Sequence, residues 1–146
     1  MNDSTQAQIV QECERLLYQL AHLTDHGPHA EIAQLFTEDG EFDRDGTVVV
    51  GRQALRDLYS QRPASLMTRH MVSNIMVTVV SAEEASSQAY ATVYRFRSNN
   101  GAKPVPPVTC DGPESIAEYR DQWVKTAEGW KFKRRILKTV INVQRT

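Results

Sequence analysis

The sequence predicts an α+β fold in which about three N-terminal helices cover the concave face of a cone-shaped, curved antiparallel sheet. Apolar residues recur at helical spacing only before about residue 61, and from about residue 68 they alternate with a period of two. Helices that precede a run of antiparallel strands are typical of this class. No repeat or linker divides the 146 residues, so we expect residues 1–146 to form one domain. The conical space between the two layers is where a small ligand would bind.

The first helix is predicted over residues 4–23, where Ser4 and Thr5 can cap its N-terminus. Its apolar stripe consists of Ile9, Cys13, Leu16, Leu20 and Leu23. Gly27-Pro28 ends this helix, and Pro28 suits the first turn of a short second helix from His29 to Phe36. The pair Asp45-Gly46 predicts a type I′ hairpin within residues 41–50.

A third helix is predicted from Gly51 to about residue 61, where Pro63 follows. The remaining strands are predicted at residues 68–80, 86–98, 114–126 and 129–143. The segment 98–113 is long for a hairpin connection, and such loops commonly cover a site or contact another subunit.

The composition argues against several classes of partner. A net charge of −1 and a pI of about 6.4 give no indication of binding to nucleic acid or to a membrane surface. The N-terminus lacks the features of a signal peptide, so we expect a cytoplasmic protein. Two cysteines are too few for a disulfide framework. Alternation places Lys131, Lys133 and Arg135 on one strand face, which we interpret as solvated.

The strand at residues 68–80 carries a histidine on a face that is otherwise largely apolar. Simple alternation places Met71, Ser73, Ile75, Val77 and Val79 on one face, and His70, Val72, Asn74 and Met76 on the other. A histidine that faces a cavity needs a partner to hold its tautomer, commonly a carboxylate. Asp25, just before the Gly-Pro break, is the candidate partner.

Four segments in order carry a resemblance to a known family: LTDHGPHAEIAQLFTEDGEFD, VVGRQALRDLY, TRHMVSN and GWKFKRRI. From about residue 8 to 140 the chain resembles the SnoaL-like branch of the nuclear-transport-factor-like superfamily. That family includes polyketide cyclases, scytalone dehydratase, a hexachlorocyclohexane dehydrochlorinase, bile-acid dehydratases and isomerases. Its dehydratase and dehydrochlorinase members pair an aspartate after the first helix with a histidine that opens the first long strand. Asp25 and His70 stand at those positions, which implies that His70 is a general base and Asp25 orients it.

The sequence departs from the family pattern at one position, and the pairing of Asp25 with His70 places one requirement on the first helix. Active relatives often carry a lysine or tyrosine about five residues before the aspartate, where this chain has Leu20, with Tyr18 nearby. A helical wheel puts Asp25 opposite the stripe of Leu16 and Leu20, so the pair requires the helix to end or bend near Thr24. Tyr18, Asn74, Tyr90 and Tyr94 are the further candidates for contact with substrate.

These observations favour a lyase or isomerase without a cofactor, acting by proton abstraction on a small, hydrophobic cyclic molecule. One alternative is a non-catalytic ligand-binding or assembly module like the β subunit of ring-hydroxylating dioxygenases. Another is an epoxide hydrolase that uses Asp121 with Arg120 or Arg95. No metal is expected, because Gly27-Pro28 separates His29 from His22 and His26. We expect a homodimer, with a trimer as the alternative.

Overall fold

The structure, a computed structural model, describes residues 1–144. Its helical segments are α1 (Asp3–His26), a 3₁₀ helix (His29–Leu35) and α2 (Arg52–Ser60). Its strands are β1 (Phe36–Arg44), β2 (Thr47–Val50), β3 (Leu66–Val79), β4 (Glu84–Arg97), β5 (Ser115–Thr126) and β6 (Gly129–Asn142). The helices precede the long strands, as the α+β prediction requires.

The six strands form one open sheet in the order β2-β1-β6-β5-β4-β3. Neighbouring strands are antiparallel except β1 and β6, which are parallel, so the sheet is mixed rather than wholly antiparallel. The parallel pair arises because α2 carries the chain from the β1–β2 hairpin to the far edge, and the later strands return step by step to β1. The hairpin has φ of 50° at Asp45 and 94° at Gly46, in agreement with the predicted type I′ turn.

The first helix extends to His26, beyond its predicted end, so Asp25 lies within its last turn. Asn2 caps it by accepting the Thr5 backbone N–H at 2.8 Å, and Gly27 donates to the Leu23 carbonyl at 2.8 Å. The helical-wheel requirement was therefore wrong, because Leu17 and Ala21 are also buried and widen the stripe. Asp25 follows Ala21 by one turn and so lies at the edge of the buried surface.

A β-bulge in β3 changes which of its side chains face the core. Ser73 pairs with Tyr90 and Met76 with Gln88, so β3 has one residue more than β4 over this stretch. The bulge includes Asn74, whose φ is 52°. Because of the extra residue, the inward face is shared by His70 and Val72 before the bulge and by Ile75, Val77 and Val79 after it. The two faces predicted by simple alternation were wrong beyond Val72.

A second bulge in β6 has the same effect on Arg135. Gln122 pairs with Arg134 and Trp123 with Phe132, which leaves Lys133 as the extra residue. Arg135 therefore shares the inward face with Phe132, and its side chain is 1% exposed. The interpretation of Arg135 as part of a solvated face was wrong.

The core lies on the concave face of the sheet, beneath α1 and the 3₁₀ helix. Trp123, Trp130 and Phe132 are buried there. Cys13 is buried as well, and its burial and the nearby acidic groups raise the pKa of its thiol to about 12. In the part of the chain that the structure describes, no helix is long and apolar enough to span a membrane.

Candidate active site

A cavity of about 320 Å³ opens between the C-terminal ends of α1 and α2 and the concave face of the sheet. One set of lining residues is apolar or aromatic: Leu20, Phe42, Leu58, Tyr59, Pro63, Leu66, Tyr119 and Leu137. A second set is basic: His70 and the arginines at positions 44, 62, 95, 97 and 135. The cavity therefore combines an apolar interior with titratable and cationic groups.

His70 and Asp25 are in direct contact at this cavity. The His70 Nδ1 atom lies 2.6 Å from Oδ1 of Asp25, and the His70 backbone N–H donates to Oδ2 at 2.8 Å. The two side chains are 14% and 6% exposed. Because one residue supplies both a ring nitrogen and a backbone donor to the same carboxylate, the imidazole is held in one orientation, with Nε2 as its free nitrogen.

Two more residues complete the surroundings of Asp25. The Thr68 hydroxyl donates to Oδ1 of Asp25 at 2.8 Å, and the Arg62 guanidinium donates to the same hydroxyl. Burial by itself would raise the pKa of Asp25, but the hydrogen bonds and charge of His70, together with Thr68, outweigh burial and lower it. Asp25 is therefore an anion at neutral pH.

A second ion pair borders the same cavity. Arg135 donates through Nε and Nη2 to the two carboxylate oxygens of Asp121 at 2.8 and 2.9 Å. Its guanidinium carbon lies 3.9 Å from the centre of the Tyr119 ring. Burial would lower the pKa of Arg135, but the Asp121 carboxylate raises it, so the guanidinium stays charged.

The structure does not bring the other four predicted contact residues to this cavity. Tyr18 is 53% exposed on α1, and Asn74 is exposed in the bulge. Tyr90 and Tyr94 lie on the outer face of β4, because Ala89, Ala91 and Val93 face the core. Asn74, Tyr90 and Tyr94 were predicted from alternation, and Tyr18 from its nearness to a position given by the family resemblance. Neither argument determines which face is covered.

The alternative site residues also have other partners. Asp121 pairs with Arg135 rather than with Arg120 or Arg95, so the arrangement expected for an epoxide hydrolase is not formed. His29 contacts the Thr24 carbonyl at 3.1 Å, whereas His22 lies against His26. Within residues 1–144, no group of three or more histidine, cysteine, aspartate or glutamate side chains is arranged to hold a metal ion.

The segment after β4 borders a different space. Lys103, Pro104 and Pro106 line a second cavity of about 530 Å³, which Asp25 also borders. His70 faces the smaller cavity, which is therefore the one where its free nitrogen can meet a ligand.

Sequence reasoning missed Thr68 and Arg135. Thr68 stands two residues before His70 on one strand, so their shared face could have been found from the spacing. Arg135 could not, because its orientation depends on a bulge that only the pairing with β5 shows.

The comparisons with known proteins agree with this fold. A family model described as the SnoaL-like domain matches residues 5–136. The chain belongs to this family. No curated protein matches the chain significantly.

Several solved structures are similar to this SnoaL-like chain over most of its length. A scytalone dehydratase-like protein from Novosphingobium aromaticivorans DSM 12444 has a TM-score of 0.82 at 25% identity, covering 99% of this chain and 93% of that one. A variant of a Mycobacterium tuberculosis protein of unknown function has a TM-score of 0.79 at 23% identity, covering 98% of this chain and 79% of that one. LinA has a TM-score of 0.80 at 16% identity, covering 97% of this chain and 92% of that one. The last two show the shared fold alone.

Proposed function

We propose that this SnoaL-like protein is a cofactor-independent lyase or isomerase of the dehydratase, double-bond isomerase or cyclase type. The observation that carries the proposal is the contact of 2.6 Å between His70 Nδ1 and Asp25 at the edge of a cavity that His70 lines. The likeness to a scytalone dehydratase-like protein supports the same class of reaction.

The chemistry begins with proton transfer from carbon. In the proposed step, His70 Nε2 accepts a proton from a carbon next to a carbonyl group, and the electron pair moves to the carbonyl oxygen. The Asp25 carboxylate accepts the Nδ1–H and stabilises the imidazolium that forms. In a dehydration, the enolate re-forms the carbonyl and a new carbon–carbon double bond as the bond to the β-hydroxyl breaks, and the imidazolium protonates the departing oxygen, which leaves as water. In an isomerisation of a β,γ-unsaturated ketone, the imidazolium returns the proton to the γ carbon of the dienolate.

Arg135 is suited to bind the oxygen that gains negative charge. Its guanidinium borders the cavity, and Asp121 occupies Nε and one Nη2 donor, which leaves N–H groups of a fixed cation for a ligand. A donor held in place before the reaction stabilises the enolate without reorganising.

The assembly-module alternative has less support. A filled cone in which His70 bonded only to backbone would favour a scaffold. The open cavity and the carboxylate contact instead support catalysis.

The experiment is a screen of cyclic β-hydroxy ketones and enones in D₂O, read by mass spectrometry for loss of water and for deuterium on carbon. His70→Asn should reduce both signals by about a hundredfold or more, as expected for loss of a general base. His22→Asn, an exposed histidine outside the cavity, is the matched control. Activity of His70→Asn equal to that of the unmodified protein would refute the proposal.

We also propose that the protein is a homodimer. The outer sheet face exposes large apolar side chains, including Met71, Met76 and Tyr90, and such surfaces are commonly covered by a partner. Sedimentation equilibrium distinguishes a dimer from a trimer and from a monomer, and a monomer at micromolar concentration would contradict the proposal.

A further inference from the structure

The cavity that His70 faces is unusually rich in positive charge. Five arginines line it, at positions 44, 62, 95, 97 and 135, and no aspartate or glutamate is among its lining residues within the described chain. A neutral, apolar substrate would not require this arrangement, in which Arg62 and Arg135 are partly or fully buried and lose solvation.

Three of these arginines have acidic neighbours. Arg135 pairs with Asp121, Arg95 pairs with Glu114 at 2.5 Å, and Arg62 reaches Asp25 through the Thr68 hydroxyl. For Arg44 and Arg97, no carboxylate of residues 1–144 lies within ion-pair distance. The cavity therefore keeps two uncompensated cations near its opening.

The strand register locates these cations relative to the proposed base. His70 pairs with Val93, Thr68 with Arg95, and Leu66 with Arg97. Residues two apart on a strand are separated by about 7 Å, so the backbone of Arg97 lies about 13 Å from the His70 pair along the strands. Arg44 adjoins Leu137, another cavity residue, from the β1 side.

The electrostatic environment of Arg62 indicates that Arg44 and Arg95 lie near it. Burial lowers its pKa, Asp25 raises it, and both Arg95 and Arg44 lower it further. Arg62 therefore lies within range of two other guanidinium groups, and an anion among them would relieve their mutual repulsion.

We propose that the substrate is an organic acid whose carboxylate binds to the arginines of the cavity, Arg44 and Arg97 among them, while its ring occupies the apolar part of the cavity. Guanidinium groups suit a planar carboxylate because they donate in parallel pairs. The apolar residues Leu20, Leu58 and Leu66 lie in the same cavity and receive the ring. This inference rests on the proposed function in one respect: the cavity lined by His70 is taken as the substrate cavity.

The test compares two ligands that differ only in charge: 2-naphthoate and 2-naphthamide. Binding is measured by NMR titration of the ¹⁵N-labelled protein, including the arginine Nε–H signals, at low and at 0.3 M salt. We expect the acid to bind about tenfold more tightly than the amide, with a preference that falls as salt rises.

Matched variants assign that preference to the two cations. Arg44→Gln combined with Arg97→Gln should remove most of the difference between acid and amide, while leaving amide binding unchanged. Both positions are exposed, so the fold should be retained, and circular dichroism checks this. Arg56→Gln, on α2 and outside the cavity lining, should keep the full preference.

The outcomes separate this inference from the proposed function. Equal binding of acid and amide, or a full acid preference in the double variant, would overturn the inference and leave the proton-transfer proposal standing. The titration is repeated with His70→Asn, because acid binding there does not depend on turnover. A preserved preference without turnover of any acid would count against the proposed function alone.

Discussion

Two carboxylates pair with basic side chains that line the same cavity, and the surroundings of the two pairs differ. The Asp25–His70 pair keeps 6% and 14% of its side-chain surface exposed, whereas Asp121 and Arg135 keep 0% and 1%. Histidine can gain and lose a proton near neutral pH, but arginine stays protonated. The comparison indicates that the two pairs are suited to different roles. The Asp25–His70 pair near the opening is suited to transferring a proton, and the Asp121–Arg135 pair in the interior to holding a fixed charge.

The largest effect on stability is expected from breaking the interior pair. Asp121→Asn leaves the buried Arg135 without its counter-charge, so the free energy of unfolding should fall by about 3–5 kcal/mol, measured by urea denaturation. Asp121→Leu combined with Arg135→Met should be more stable than Asp121→Asn, because no unpaired charge remains. A loss below about 1 kcal/mol for Asp121→Asn would show that the pair is not sealed from water.

At the outer pair, the largest effect should be on activity. Asp25→Asn removes the carboxylate that fixes the His70 tautomer, so deuterium incorporation into substrate should fall by about a hundredfold or more. Asp57→Asn, an exposed position on α2, serves as the control and should leave the rate unchanged. If the Asp25→Asn variant incorporated deuterium at the rate of the unmodified protein, the roles assigned to the two pairs would be wrong.

The pH dependence of stability should also separate the outer pair from a simple surface contact. The pKa of Asp25 is lower in the folded state than in the unfolded state, so its contribution to stability is present above the unfolded pKa of about 4 and is lost as pH falls through the folded pKa. The stability difference between the unmodified protein and Asp25→Asn should therefore shrink as pH falls from 6 to 3. A difference that stays constant or grows over that range would contradict this assignment.

The smallest effect is expected at the hydroxyl that supports Asp25. Thr68→Val removes the donor to Oδ1 of Asp25, so the free energy of unfolding should fall by about 1 kcal/mol and the rate of deuterium incorporation several-fold. Thr68→Ser should retain most of both quantities. Tyr94→Phe removes a hydroxyl from the outer face of the sheet and should change neither quantity. Equal losses of stability and rate in Thr68→Val and Tyr94→Phe would contradict the role assigned to Thr68 in the site.

Most of the fold could be predicted from the sequence, because its signals are local. The type I′ turn follows from Asp45-Gly46, and α1 follows from a stripe of apolar residues. The parallel contact of β1 with β6 has no local signal, since it joins segments about ninety residues apart. The site was predicted only in part: Asp25 and His70 were brought together by resemblance to a family, not by periodicity.

The two bulges explain the remaining differences. Along β3, the extra residue around Asn74 puts His70 on the same side as Ile75, which alternation had placed opposite it. Along β6, Lys133 has the same consequence for Arg135. A bulge shifts the period of two by one residue, and nothing in either strand's own composition marks where the shift occurs.

The sequence by itself determined the α+β class, the hairpin turn and the identity of the proposed catalytic pair. Only the tertiary structure decided that Tyr90 and Tyr94 face outward and that Arg135 faces the cavity beside His70. The physical reason is that helix and turn formation depend on neighbours in the chain, whereas the face of a strand depends on its register with another strand. The charge of the cavity is therefore a property of the assembled sheet, because its arginines come from β1, β4 and β6 and from the segment that follows α2.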